Sequence, residues 1–251
     1  MIEMVKELLS AVKIGITAVF IALVCICTMI FSIYVPATKG YFNVGEVMVY
    51  TTAILFGPVI GAVAGGVGSA LADVFLGYGI YVPATLSIKA CEGAVVGLLG
   101  RRMLELNSTK KLRKFAVVIG LFFSLLIGYI GTRLYTGNIE ATIGLPFFGY
   151  YTSSVNIPTT FWIIVTILIA TILTYVELNF RSQIGWMVFS MLIGGSIMVS
   201  GYFLYQWFLY GPAALIEIPI NIGQSLIGIL ISVPLIKAIW KRAPWIKETF
   251  H

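Results

Sequence analysis

The chain has 251 residues, 59% hydrophobic and only 10% charged. Soluble domains carry about 25% charged residues, so this composition and a mean hydropathy of +1.01 exclude a soluble globular protein. The net charge of +6 is no nucleic-acid signal, because the cations sit at alternate ends of apolar runs.

The first apolar run, about 12–34, carries a stripe of small residues: Ala11, Gly15, Ala18 and Ala22. Spacings of four, three and four place them on one helix face. Small residues let a second helix approach closely in lipid. The run is too long and too late for a signal peptide, so it is expected to be retained.

The second and third runs, about 45–62 and about 64–81, have no charged linker between them. Each is near the lower limit for a span, and Gly57-Pro58 interrupts the second. Gly61, Gly65, Gly66 and Gly68 read as close helix packing around a tight inner turn, or as a hinge. The fourth run, about 83–104, leads into a basic loop from Arg101 to Lys114.

The fifth and sixth runs lie at about 115–135 and about 158–178. The loop between them contains Pro146-Phe147-Phe148-Gly149-Tyr150-Tyr151 and reads as an interfacial belt or a lid. The seventh and eighth runs lie at about 185–210 and about 213–240. The fold class is therefore all-α: a multi-pass membrane bundle of about eight apolar segments. Most Lys and Arg residues fall at the ends that the positive-inside rule makes cytoplasmic, the two termini included. Lys39 and Arg133 fall at the opposite ends, and Lys89 lies within a span.

Enzyme signatures are absent. His251 is the one histidine and Asp73 the one aspartate, which removes histidine triads, zinc-peptidase motifs and a paired-aspartate protease. No GxxxxGK[ST] loop is present, so ATP hydrolysis of that kind is not expected of this chain. No metal or cofactor is expected. Cys25, Cys27 and Cys91 lie in spans and read as buried free thiols. The pentapeptide Tyr-Val-Pro-Ala-Thr occurs at 34–38 and again at 81–85, where Tyr and Pro suit outer helix ends.

Polar residues inside spans are costly and mark sites. Glu217, Asn221, Gln224 and Gly228 form one stripe on the eighth span. Tyr202, Tyr205 and Gln206 occupy the outer half of the seventh, and Lys89 and Glu92 that of the fourth, on adjacent turns. Asn43 and Glu46 stand at the outer start of the second, where Asn43 reads as a cap and Glu46 as a first-turn acid. Together they suggest a small polar ligand site opening outward. Two plain structural roles compete: an ion pair for Lys89 and Glu92, and inter-helix hydrogen bonds for Asn221 and Gln224. Asp73 reads as a packing or turn acid nearer the inner or middle part of its segment.

These residues resemble a known family, the substrate-binding S components of energy-coupling factor (ECF) vitamin transporters. Ala18-Val19-Phe20-Ile21-Ala22 resembles the AxxxA signature of its first helix. Gly40-Tyr41-Phe42-Asn43-Val44-Gly45-Glu46 resembles its first outer loop. Leu55-Phe56-Gly57-Pro58, Gly61, Gly65-Gly66 and Gly68-Ser69-Ala70-Leu71-Ala72-Asp73 resemble its second and third helices. Pro83-Ala84-Thr85, Lys89 and Glu92-Gly93 resemble its fourth, and Gly201-Tyr202-Phe203 and Pro219, Asn221 and Gln224 its last two. The resemblance covers about 11–104 and 185–242.

The resemblance implies a membrane subunit that captures a vitamin or related micronutrient from outside. It implies docking through Gly15, Ala18 and Ala22 on a transmembrane coupling subunit that carries two ATPases, in the cell membrane. The ligand would be held by Asn43, Glu46, Lys89, Glu92, Tyr202, Tyr205, Glu217, Asn221 and Gln224. The family usually has six helices, so about 114–180 reads as an inserted helical pair within a single membrane domain. The Asn-Val-Gly-Glu loop is similar to that of members linked to pantothenate, pyridoxine or hydroxymethylpyrimidine, which assigns no ligand. Two other readings stand beside this one: an ion-coupled secondary transporter using Asp73, Glu92 or Lys89, and a lipid-modifying membrane enzyme.

Overall fold

A computed structural model describes residues 2–105, 117–118, 121–122, 124–126, 128–129, 131–133, 136–145, 149–179 and 182–250. The chain is mostly helical. α1 (Ile2–Ile30) runs into a short antiparallel hairpin of β1 (Ser32–Val35) and β2 (Gly40–Asn43). α2 (Glu46–Phe56) and α3 (Pro58–Leu76) form a broken pair, and α4 (Val82–Glu105) follows. A second hairpin pairs β3 (Gly137–Leu145) with β4 (Gly149–Ile157). The chain continues through α5 (Thr159–Asn179) and α6 (Ser182–Tyr210). A 3-10 turn (Gly211–Ile216) leads to α7 (Glu217–Arg242) and the short α8 (Trp245–Phe250).

Among the described residues, four stretches are long and apolar enough to cross a membrane: Ala11–Ile30, Pro58–Leu76, Val82–Arg101 and Ile184–Arg242, the last holding α6 and α7 in succession. This is a multi-pass helical membrane protein. Part of the expected fifth span, and the Pro146-Phe147-Phe148 part of the aromatic loop, lie outside the described residues.

Two expectations are corrected. The chain is not purely α-helical, because two hairpins stand among the helices. In the first, Ser32 pairs with Asn43 and Val35 with Gly40. The run Ile33-Tyr34-Val35 suits a strand, and Lys39 turns the chain with a φ of 55°. The segment read as a loop over about 136–157 forms the second hairpin, and β3 lies alongside β1.

The second apolar run is also shorter than expected. α2 has 11 residues, about 16 Å of helix, against a hydrocarbon core about 30 Å thick. It ends because Gly57 takes φ 83°, which side chains disfavour, and Pro58 then opens α3, where its missing N–H costs nothing. Nearly all of α2 is buried, so neighbouring helices surround it rather than lipid.

Glycines set how closely those neighbours approach. A methyl group on Gly66 would lie 2.8 Å from the Leu86 carbonyl of α4, and one on Gly68 2.7 Å from the Ile21 carbonyl of α1. Close helix packing is thus what the α3 glycines do here. The apolar core, including Tyr50, Ile54, Val96, Met191 and Ile236, fills the bundle from its middle toward the basic end. The opposite end, under β1–β2, is polar.

Candidate functional site

Four helices place pairs of polar residues one turn apart on a single cavity: Ser69 and Asp73 on α3, Thr85 and Lys89 on α4, Tyr202 and Gln206 on α6, Asn221 and Gln224 on α7. Residues three or four apart share a helix face, which is why each helix contributes a short polar stripe. Thr28 closes the α1 side. Tyr41 and Asn43 of β2 form the roof, and Tyr81 and Glu217 complete the walls at helix starts. The cavity volume is about 30 Å³, roughly room for two waters.

The hairpin is tied down at four points. Thr38 donates its hydroxyl to Glu217 Oε1. Tyr41 donates to Asp73 Oδ1 at 2.6 Å. The backbone N–H of Asn43 reaches Gln224 Oε1 at 2.8 Å. The Tyr81 hydroxyl reaches the Thr38 carbonyl at 2.6 Å, so the two Tyr-Val-Pro-Ala-Thr copies touch. Burial first, and then the Asp73 carboxylate, push the Tyr41 phenol well above its usual range. Burial likewise raises Tyr81. Both phenols therefore remain hydroxyl donors.

An ion triad underlies the cavity. Lys89 Nζ pairs with Glu92 Oε2 at 3.0 Å and with Glu46 Oε1 of α2. Gln224 Nε2 donates to the same Glu46 oxygen at 3.0 Å. All three charged side chains are buried, where an ion is tolerable only when paired. The expected Lys89–Glu92 pair is present, and Glu46 joins it across helices.

Six of the nine expected ligand residues line the cavity: Asn43, Lys89, Tyr202, Glu217, Asn221 and Gln224. Glu46 and Glu92 touch it through Lys89. Tyr205 does not line it, since its hydroxyl is spent on the Ile80 carbonyl. Asn43 is not the helix cap it was expected to be. Gly45 occupies the N-cap, and Asn43 Oδ1 instead accepts the Gly45 N–H at 2.9 Å.

Asp73 is placed differently from the expectation. It sits in the last turn of α3, buried against the cavity. Because Gly57 breaks the 45–81 segment, α3 runs over Pro58–Leu76 rather than about 64–81, which puts Asp73 in its last turn, beneath the hairpin. Thr28, Tyr41, Ser69, Tyr81 and Thr85 were not singled out. Ser69 and Thr85 carry one legible signal, a spacing of four from Asp73 and Lys89; Thr28, Tyr41 and Tyr81 have no such partner.

The small-residue stripe lies elsewhere. Gly15, Ala18 and Ala22 are exposed on the outer face of α1, and nothing lies within 4 Å of a methyl group placed on Gly15. Ala18 borders a groove of about 520 Å³ that runs past Lys13, Phe56 and Arg101 to Phe250 at the basic end. The described residues contain no cluster of metal-ligating side chains.

Comparison with known proteins agrees with this architecture. A Pyrococcus woesei protein described as "Uncharacterized protein in gap 3'region" is 51% identical over 74 residues, which are 30% of this chain and 49% of that relative. The chain thus spans about half the length of this curated relative. The family model described as "ECF-type riboflavin transporter, S component" matches residues 8–178, a range that takes in α1, the buried α2 and the walls of the cavity up to α4. It describes a transporter component rather than an enzyme. With well over half of its length matched, this chain belongs to the S components of ECF-type transporters.

Proposed function

We propose that this protein captures a vitamin-like small molecule at the outer face of the cell membrane. It passes that molecule to an ATP-driven importer made with a coupling subunit and two ATPases. The polar cavity beneath β1–β2 carries this reading. It gathers amide, phenol, carboxylate and hydroxyl groups from every long helix described around it, in a chain otherwise dominated by apolar contacts.

In this reading the hairpin end faces outward and both termini face the cytoplasm, in line with the basic residues. A vitamin needs several hundred Å³, far more than the packed cavity holds. Entry therefore requires the β1–β2 hairpin to lift off α3 and α7, breaking the Tyr41–Asp73, Asn43–Gln224 and Thr38–Glu217 contacts. Bound ligand replaces those partners. The exposed face of Gly15, Ala18 and Ala22 offers the coupling subunit a close helix contact.

The test is to purify the protein from cells grown in rich medium, denature it and identify released small molecules by mass spectrometry. One vitamin at near-equal molar ratio, lost in Asn221→Ala, supports the reading. Uptake that needs no ATPase subunits and collapses with an uncoupler would favour ion-coupled transport instead. That second reading draws on Asp73, whose Oδ2 is buried without a hydrogen-bond partner among the described residues.

A further inference from the structure

The charges around the cavity do not balance. Asp73, Glu217, Glu46 and Glu92 are buried with at most 2% of each exposed, and Lys89 is the buried cation among them. Lys89 is already held by Glu46 and Glu92. Asp73 and Glu217 face the same cavity from α3 and α7, and no cation pairs with either among the described residues. Each is met by neutral donors instead, among them the hydroxyls of Tyr41 for Asp73 and Thr38 for Glu217.

The unused hydrogen-bonding capacity is equally one-sided. Asp73 Oδ2 and Gln206 Oε1 are buried without a partner among the described residues, and both side chains line the cavity. The phenol donors nearby are committed: Tyr41 to Asp73, Tyr202 to Thr85 at 3.0 Å, and Tyr81 to the Thr38 carbonyl. Beside Lys89 and the Asn221 amide, the cavity thus offers unpartnered acceptors and unpaired carboxylates, and phenol rings share its lining. Lys89 Nζ lies 5.9 Å from the Tyr202 ring centre, within reach of the favourable pull of a ring face on a cation.

We infer that the ligand is an organic cation, a permanently charged or protonated nitrogen compound whose positive group lies against Asp73 and whose N–H donors reach Gln206. The inference rests on the cavity being the substrate site. It names a charge class that neither a neutral flavin nor an anionic acid satisfies. A cation supplies the counter-charge that Asp73 and Glu217 lack. A neutral or anionic ligand leaves buried carboxylates without one, the costly arrangement.

Isothermal titration of the purified full chain in detergent tests this with four probes: thiamine and pyridoxamine as cations, riboflavin as the neutral probe, and pantothenate as the anion. At least one cation should bind tenfold or more tighter than riboflavin and pantothenate. Asp73→Asn should lose tenfold or more for that cation. Gln206→Glu should tighten cation binding, and it provides the reading if Asp73→Asn does not fold. Tighter binding of riboflavin or pantothenate, or an unchanged cation affinity in folded Asp73→Asn, overturns the inference and leaves the binding-subunit reading intact. A cation affinity unchanged or weakened by Gln206→Glu likewise overturns the inference. Binding of none of the four overturns both.

Discussion

Gln224 Oε1 accepts the backbone N–H of Asn43 at 2.8 Å, while the same amide donates to Glu46 at 3.0 Å. One side chain of α7 therefore fastens the roof of the cavity to the ion triad beneath it. Gln224→Ala strands a backbone donor and leaves Glu46 Oε1 with Lys89 as its remaining partner. It should cost about 1–3 kcal/mol, seen as a lower unfolding temperature in detergent. Gln224→Glu should do worse, because it sets a second carboxylate against Glu46. Equal stability for all three proteins would show that the hairpin does not depend on this amide.

Lys89 neutralises two acids on two helices. Lys89→Met leaves Glu46 and Glu92 buried together without a counter-charge, a loss of about 3–5 kcal/mol. Adding Glu46→Gln to that variant should recover part of the loss. A double-mutant cycle on unfolding midpoints checks this, and additive effects would mean that the pair is not coupled.

Ala18→Trp and Ala22→Trp enlarge an exposed face of α1. Both variants should fold and bind ligand as the parent does. Co-purification with the proposed coupling and ATPase subunits, and ATP-dependent uptake, should fall at least tenfold. Normal uptake in both would remove this face from the docking surface.

Gly61 faces α2 and α4 at once, and a methyl group there would sit 2.8 Å from the Ala53 backbone and from the Gly93 carbonyl. Backbone cannot step aside as a side chain tip can, so Gly61→Ala should cost about 1–3 kcal/mol. Gly15→Ala, with open space around it, should be neutral or slightly stabilising. Thermal unfolding of the two variants side by side gives the comparison.

Much of the site was legible because helical spacing is local. Glu217, Asn221 and Gln224 share a face by their numbers alone, and the structure buries all three at the cavity. Lys89 and Glu92 pair as their spacing predicts. Asp73 was misplaced because its depth depends on where the preceding helix ends, and Gly57 ends α2 early. Tyr205 was misplaced because neighbours in sequence, Tyr205 and Gln206, point about 100° apart on a helix. The first hairpin was missed because the short runs at 32–35 and 40–43 adjoin longer apolar segments whose helical signal hides them.

The sequence by itself determined that this is a membrane protein, that its first helix has a face open to close packing, and that its polar residues gather near one end. Those properties follow from composition and from periods of three and four, which need no knowledge of distant contacts. Only the tertiary structure decided that Glu46 completes the Lys89 pair, that Tyr41 reaches Asp73, and that the two Tyr-Val-Pro-Ala-Thr copies meet. Each of these contacts joins separate elements, 32 to 43 residues apart in the chain, and their meeting depends on how α2, α3 and α4 pack through glycines. Packing geometry is set by many contacts at once, so no local pattern in the chain encodes it.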